Sequence, residues 1–316
     1  MPEAGRVLVV GATGLVGSHL VRAARRRGCV ISGAARNVAG EATLRVDLMD
    51  RATLDAALAQ VNPSLVALCS AWPYVDGCEK DPARSQRENV DTVANAIAAT
   101  RGSNATLLWF STDHVFDGSR PHHVESDAVN PVSVYARHKL AAERLLEERG
   151  NALVARTSYV FGPEKARKNF LYRVIEKGGQ AALLTQQDEK GGQAALLTQQ
   201  DEKAACPPFS VPRGQAGCPT FAGWLAESAL ELIALGQRGV MHLSGPELLT
   251  KAAWARRIVS GLGLGQLEVQ EVDWAQAGQV APRPDRVFLK SERHALVQPP
   301  LDDLLLLHRE SLLNPA

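Results

Sequence analysis

The chain has 316 residues and a mass of 33.9 kDa, about twice a common single-domain length, so one large or two modest domains are expected. Hydrophobic residues make up 45% and charged residues 22%, which suits a soluble globular protein with a sizeable core. Lys and Arg number 35 against 34 Asp and Glu, a formal charge of +1 that argues against a nucleic-acid binder or a membrane-surface polycation.

Arg6 to Val10 is a short apolar run ending at Gly11 and reads as a buried strand. Leu15 to Arg27 follows with helical spacing of Leu15, Val16, His19, Leu20 and Ala23. Arg25, Arg26 and Arg27 suit the negative end of that helix's dipole. Cys29 to Ala34 is predicted as a second strand, Leu44 to Val46 as a third and Arg51 to Gln60 as a helix. Ser64 to Cys69 reads as a fourth strand and Ala83 to Arg101 as one long amphipathic helix. Ala105 to Phe110 is a fifth strand, Val132 to Arg149 a helix and Ala152 to Ala155 a sixth strand. Strands alternating with helices imply a parallel sheet covered on both faces, and right-handed crossovers make it doubly wound.

After Phe161 the rhythm changes. Asn169 to Lys177 is predicted helical, and a Pro/Gly-rich stretch occupies Cys206 to Pro219. Helices are expected at Phe221 to Leu235 and Lys251 to Leu262, strands at Gly239 to Leu243 and Leu267 to Val272, and a leucine-rich helix at Leu301 to Leu313. The expected organisation is a Rossmann domain over residues 1–160, joined by a returning strand near 239–244, and a smaller mixed α/β substrate-binding region over 161–316. Residues 178–190 read GGQAALLTQQDEK, and residues 191–203 repeat that string. Thirteen residues at about 100° each leave a helix about 140° out of register, and an odd step flips a strand's face. At least one copy is therefore expected to loop out.

The five cysteines are scattered without a CxxC pair, so reduced thiols in a cytoplasmic protein are expected, with no disulfide framework or zinc site. Met1 to Val10 lacks a signal-peptide layout, and no run reaches the roughly 18 apolar residues of a membrane span. His122-His123 has no further ligand at sensible spacing and is expected in a solvated loop, with no metal bound.

Three motifs carry chemistry. Gly11-Ala12-Thr13-Gly14-Leu15-Val16-Gly17 lies between the first strand and first helix, where glycines admit a pyrophosphate and the helix N-terminus offers its N–H groups. Beyond the second strand, Val30 to Asn37 holds Arg36 and no acid, which favours a 2′-phosphate and hence NADPH over NADH. Asp47 follows the third strand, where it either meets the adenine amine or caps the next helix. Tyr135 and Lys139 stand at i and i+4 on one helix face, so an ammonium beside the phenol is expected to lower its pKa. Ser111-Thr112-Asp113-His114 ends the fifth strand, on the side of a parallel sheet where ligands bind.

With these residues in place, the chain resembles the extended short-chain dehydrogenase/reductases, and most of all the dTDP-4-dehydrorhamnose reductase branch. GATGLVG, VDLMD, FSTDHVFDG, RTSYVFGP, GCPTFAGWLAE, GVMHLSG and RPDRVFL fall in the family's order, over nearly the whole chain outside about Lys190 to Arg213. The resemblance implies Thr112, Tyr135 and Lys139 as the catalytic triad. It implies Gly11, Thr13, Gly14, Leu15, Val16 and Gly17 on the cofactor, with Arg36, Asp47 and Leu48 towards its adenosine, and Tyr135 and Lys139 also reaching it. Asp113, His114, Tyr159 and Arg283 would face the substrate, a nucleotide-linked keto sugar, and a homodimer is an expected assembly. The chain departs from the family pattern at His114 (usually Tyr), Ala136 (Gly), Gly214 (Asp), Trp224 (Asp) and Val287 (Ser). All but Ala136 bear on sugar-nucleotide recognition. Two other readings therefore stay open. One is a dinucleotide-binding regulator similar to the regulatory β subunit of methionine adenosyltransferase, with a synthetase as partner. The other is a reductase or epimerase of another sugar nucleotide.

Overall fold

The computed structural model describes residues 5–178, 208–265 and 267–315. The tandem repeat and Cys206 lie almost wholly outside them. Two compact units divide the chain: Met1–Gly162, Ala216–Leu248 and Gln279–Gln298 form the first, and Pro163–Gln215, Leu249–Gly278 and Pro299–Ala316 the second.

The first unit is built on a seven-stranded sheet. Its strands are β1 (Arg6–Val10), β2 (Val30–Ala35), β3 (Leu44–Arg45), β4 (Leu65–Leu68), β5 (Thr106–Thr112), β6 (Ala152–Thr157) and β7 (Gly239–His242), in the spatial order β7-β6-β5-β4-β1-β2-β3. Every pairing is parallel. The strands read as unbroken apolar runs because helices cover both faces. On one face, α1 (Leu15–Arg26) and α7 (Ala222–Ala234) enclose Val7, Val9, Leu20, Leu225 and Met241. On the other, α2 (Arg51–Val61), α5 (Thr92–Ala99) and α6 (Val134–Arg149) enclose Leu8, Leu54, Val93, Trp109, Leu146 and Val154. The strand order reverses between β1 and β4, and a cleft at the carboxyl ends of those two strands is where a doubly wound sheet takes its ligand.

The connection from β4 to α5 differs from the single helix expected over Ala83 to Arg101. It holds α3 (Val75–Lys80), α4 (Pro82–Gln86) and a π-helical turn over Arg87–Asp91 before α5 begins. Pro82 starts α4 at its first position, and the Asp81 carboxylate caps it by accepting Arg84 N–H at 2.9 Å. The π turn carries one extra residue, and it directs the buried Asn89 amide inward to the loop after β4. α3 carries Gly77 where no larger residue fits, since a Cβ there would stand 2.4 Å from Tyr74 Cδ1 and 2.8 Å from Trp72 Cζ2.

The sequence sets one boundary after residue 160 and one returning strand, whereas the chain returns to the first unit twice, at Ala216 and at Gln279. The second return is pinned by Asp76, which accepts the N–H groups of Val280 (2.8 Å) and Ala281 (2.9 Å). Hydrophobic patterning shows the burial of a segment and is silent on such a polar clamp.

In the second unit, strands Phe209–Pro212 and Val269–Val272 pair in parallel, and a helix over residues 170–178 places Phe170 against Phe209. Helix Lys251–Leu262 packs on Leu301–Leu307, where Gly261 leaves room for the Leu305 side chain. The expected tail helix breaks at His308 into Leu301–Leu307 and Arg309–Leu313. No helix among the described residues is long and apolar enough to cross a membrane.

Candidate functional site

The glycine turn after β1 is tight. Gly11 N–H and Ala12 N–H both donate to Ala34 O, at 2.8 and 3.1 Å, and Gly14 N–H donates to Gly11 O at 3.1 Å. Gly11 sits at φ +90°, where an L side chain is strained, and a Cβ there would lie 2.8 Å from the backbone of Cys69 and Ser70. A Cβ on Gly17 would fall 2.1 Å from Gly11 O, so only glycine lets α1 close on the turn. Helix α1 starts at Gly14 with no side-chain cap and no acid in its first turn. That combination suits a bound anion. Thr13 is exposed on the turn, and Leu15 and Val16 open the helix. The residues present therefore fit a dinucleotide pyrophosphate.

Around that turn, Arg36 is exposed one residue beyond β2. Asp47 follows β3, and its Oδ1 accepts Met49 N–H at 3.0 Å. It does not cap α2: Asp50 does, accepting Ala52 N–H at 3.2 Å. Leu48 is buried, and its carbonyl accepts Asn95 Nδ2 at 2.9 Å.

At the end of β5 a chain of polar groups is assembled. Thr112 Oγ1 accepts His114 N–H and donates to Asp113 Oδ1, each at 3.2 Å. Ser158 Oγ donates to Asp113 Oδ2 at 2.5 Å and accepts Cys218 N–H at 3.1 Å. Thr112, Asp113 and Ser158 are all buried. The second residue of α6, Tyr135, has its phenol beside the Thr112 hydroxyl, and the His114 ring stands edge-on to it at 6.1 Å between centroids.

The electrostatics reverse one expectation. Burial, reinforced by the Asp113 charge, pushes the Tyr135 phenol above its ordinary pKa, with the nearby Thr112 hydroxyl opposing. Lys139 does not lower it. Its Nζ donates to Phe110 O at 2.6 Å and lies 3.6 Å over the Trp109 ring. Burial pushes Lys139 down to about 7, against the opposing charge of Glu143. An ammonium this desolvated is no fixed positive charge beside the phenol.

Tyr159 follows β6 with φ +42°, a strained value for a ring-bearing residue. Gly217 makes room for it: a Cβ there would stand 2.9 Å from Tyr159 Cε1 and 2.7 Å from Ser158 Oγ. Burial and the Asp113 charge raise its phenol as well. Arg283 forms a two-pronged pair with Asp76, Nη1 to Oδ1 at 2.9 Å and Nη2 to Oδ2 at 2.6 Å. Burial would raise the Asp76 carboxyl, yet Arg283 and two backbone amides override it and hold it at about 2. The structure thus brings Thr112, Asp113, His114 and Tyr135 together, and sets Arg283 in a clamp with Asp76.

Sequence reasoning passed over Asp76 and Asn89. Asn89 Nδ2 donates to Trp72 O at 3.2 Å and Oδ1 accepts Trp72 N–H at 2.9 Å, while Arg84 lies 4.2 Å over the indole. The available signal was an amide on the inward face of an apolar helical pattern. His123 also departs from the solvated loop expected of it: it is buried, stacked on Phe116 at 4.2 Å. No cluster of metal-ligating side chains occurs among the described residues.

The family described as RmlD substrate binding domain matches residues 5–194 and 188–299, two spans overlapping across the junction of the repeated segments. Over 301 residues, the chain is 28% identical to a dTDP-4-dehydrorhamnose reductase of Mycobacterium tuberculosis, covering 92% of this chain and 86% of that protein. It is also 28% identical over 304 residues to methionine adenosyltransferase 2 subunit beta of Danio rerio, covering 92% and 84%. Among solved structures, a dTDP-4-dehydrorhamnose reductase of Bacillus anthracis in complex with NADP has a TM-score of 0.76 at 22% identity, covering 98% of this chain and 97% of that one. At that identity the likeness is one of fold.

Proposed function

The chain belongs to the RmlD substrate binding domain family, and from that premise we propose that it is an NAD(P)H-dependent reductase of a keto group on a nucleotide-linked sugar. The observation that carries the reading is the Tyr135–Thr112 pair at the carboxyl end of β5, with Lys139 one helical turn further along α6. The reductase named among its relatives supports it.

The cofactor supplies a hydride to the ketone carbon. Gly11, Thr13, Gly14, Leu15, Val16 and Gly17 would hold its pyrophosphate, Asp47 and Leu48 its adenosine, and Arg36 a 2′-phosphate, which favours NADPH. Tyr135 keeps its proton at neutral pH, because burial and Asp113 oppose the phenolate. It therefore carries the proton that the ketone oxygen takes up as negative charge develops there. The Thr112 hydroxyl, held by His114 N–H, would polarise the same oxygen by turning its proton from Asp113 Oδ1 to the ketone. Lys139 would hold the nicotinamide ribose. Asp113, His114 and Tyr159 border the substrate. The free thiols of Cys29, Cys69, Cys78 and Cys218 support a reducing, cytoplasmic location.

A second reading, a dinucleotide-binding regulatory subunit, is favoured by the 28% identity to the methionine adenosyltransferase subunit. One panel separates the two. Purified protein is assayed for NADPH and NADH oxidation against nucleotide-linked 4-keto sugars, and in parallel for co-elution with a methionine adenosyltransferase catalytic chain. The reductase reading expects turnover of at least one sugar, faster with NADPH. Co-elution without turnover of any sugar would replace it with the regulatory reading.

A further inference from the structure

Glu79 lies on α3, outside every motif that points to the site, and its carboxylate reaches α6. Glu79 Oε2 accepts the backbone N–H of Val134 at 3.0 Å, across 55 residues of sequence. Val134 is the first residue of α6 and Tyr135 the second. The first four N–H groups of a helix have no acceptor within it. Ser133 Oγ takes that of Ala136 at 3.3 Å, and Glu79 takes that of Val134. A carboxylate there also meets the positive end of the α6 dipole.

The position of the tether matters more than its strength. Lys139 is anchored one turn further into the helix by Phe110 O and the Trp109 ring. Tyr135 lies in the first turn, where helices fray. Loosening that turn moves the phenol relative to Thr112 and leaves Lys139 in place. We propose that Glu79 is a positioning residue for Tyr135: by fixing the first turn of α6, its carboxylate keeps the phenol beside Thr112 at the end of β5. The proposal rests on the reductase reading for its kinetic consequence and on the α3–α6 hydrogen bond for its structural one.

The test compares the full-length wild type, Glu79→Ala and Glu79→Gln. It measures steady-state NADPH-dependent reduction of dTDP-4-dehydrorhamnose and hydrogen exchange of the amides from Val134 to Arg137. In Glu79→Ala, kcat is expected to fall roughly tenfold or more, as misplacement of a reacting group does. Its KM for NADPH and its melting temperature stay near wild type, and the first-turn amides exchange faster. In Glu79→Gln the amide oxygen still accepts the Val134 N–H, so kcat stays within about threefold of wild type and exchange is unchanged. A merely structural role would not give this split between kcat and KM together with rescue by Gln. An unchanged kcat in Glu79→Ala, unchanged exchange, or an equal loss in Glu79→Gln overturns the proposal. If Glu79→Ala does not fold, Glu79→Ser, polar and too short to reach Val134, takes its place. If the wild type turns over no sugar of the nucleotide-linked panel, the reductase reading fails. The exchange comparison then decides the tether alone: faster exchange in Glu79→Ala upholds it and equal exchange overturns it.

Discussion

Lys139 is a cation that the fold disfavours. Its folded pKa, depressed to about 7 by burial, lies below the ordinary lysine value of 10.5. Between those values the unfolded chain holds a proton that the folded chain has lost, so stability rises with pH from about 7 towards 10.5. Below 7 the buried ammonium imposes its full cost. In the cofactor-free protein, Lys139→Met is therefore expected to melt at least about 2 °C above the wild type at pH 6. The gap should narrow or reverse by pH 9. A melting curve for Lys139→Met lying below the wild type at pH 6 would remove burial as the dominant influence on this residue. At this scale the sequence shows which side chains meet and misses what surrounds them. The i, i+4 spacing places Tyr135 and Lys139 on one helix face, and that much was legible. The sign of the phenol's shift was not, because it depends on burial by the folded chain and then on Asp113, itself fixed by Ser158 from 45 residues away.

Elements rich in apolar periodicity were legible, and those held by polar side chains were not. β1, α1, α6 and helix Lys251–Leu262 stand within two residues of their predicted spans, because their buried faces repeat at the right period. α3, α4 and the π turn escaped, because Asp81, Asn89 and Asp76 organise them through a few side-chain hydrogen bonds with no periodic trace. The same holds for the ion pair that joins α6 to β6. Glu143 is fully buried and takes Arg156 Nε at 3.0 Å and Nη2 at 2.7 Å, while Arg156 Nη1 reaches His242 Nε2 at 3.4 Å on β7. Removing one partner leaves a buried charge unmatched. Glu143→Ala is expected to lower the unfolding free energy by about 3–5 kcal/mol in urea titrations. The paired change of Glu143→Leu with Arg156→Met should cost far less. Equal losses in the two proteins would show that the ion pair itself, and not an unmatched charge, sets the cost.

For the molecule as a whole, an alternating βα pattern and parallel crossovers lead to the observed sheet, and β7 returns to β6 as Gly239 to Leu243 suggested. The second return, at Gln279, was hidden because it depends on the Asp76 clamp, an interaction across more than 200 residues with no periodic trace. In the proposed function, the near-neutral chain meets its anionic cofactor through a glycine turn, an uncapped helix start and Arg36. In the proposed reduction, Tyr135 gives a proton to a sugar ketone as hydride arrives. Single-turnover oxidation of NADPH with dTDP-4-dehydrorhamnose, comparing the wild type with Tyr135→Phe, tests that step most directly. The wild type is expected to consume NADPH stoichiometrically. A rate at least about a hundredfold lower is expected in Tyr135→Phe, with NADPH affinity unchanged. Equal rates in the two proteins would contradict the proposed proton transfer.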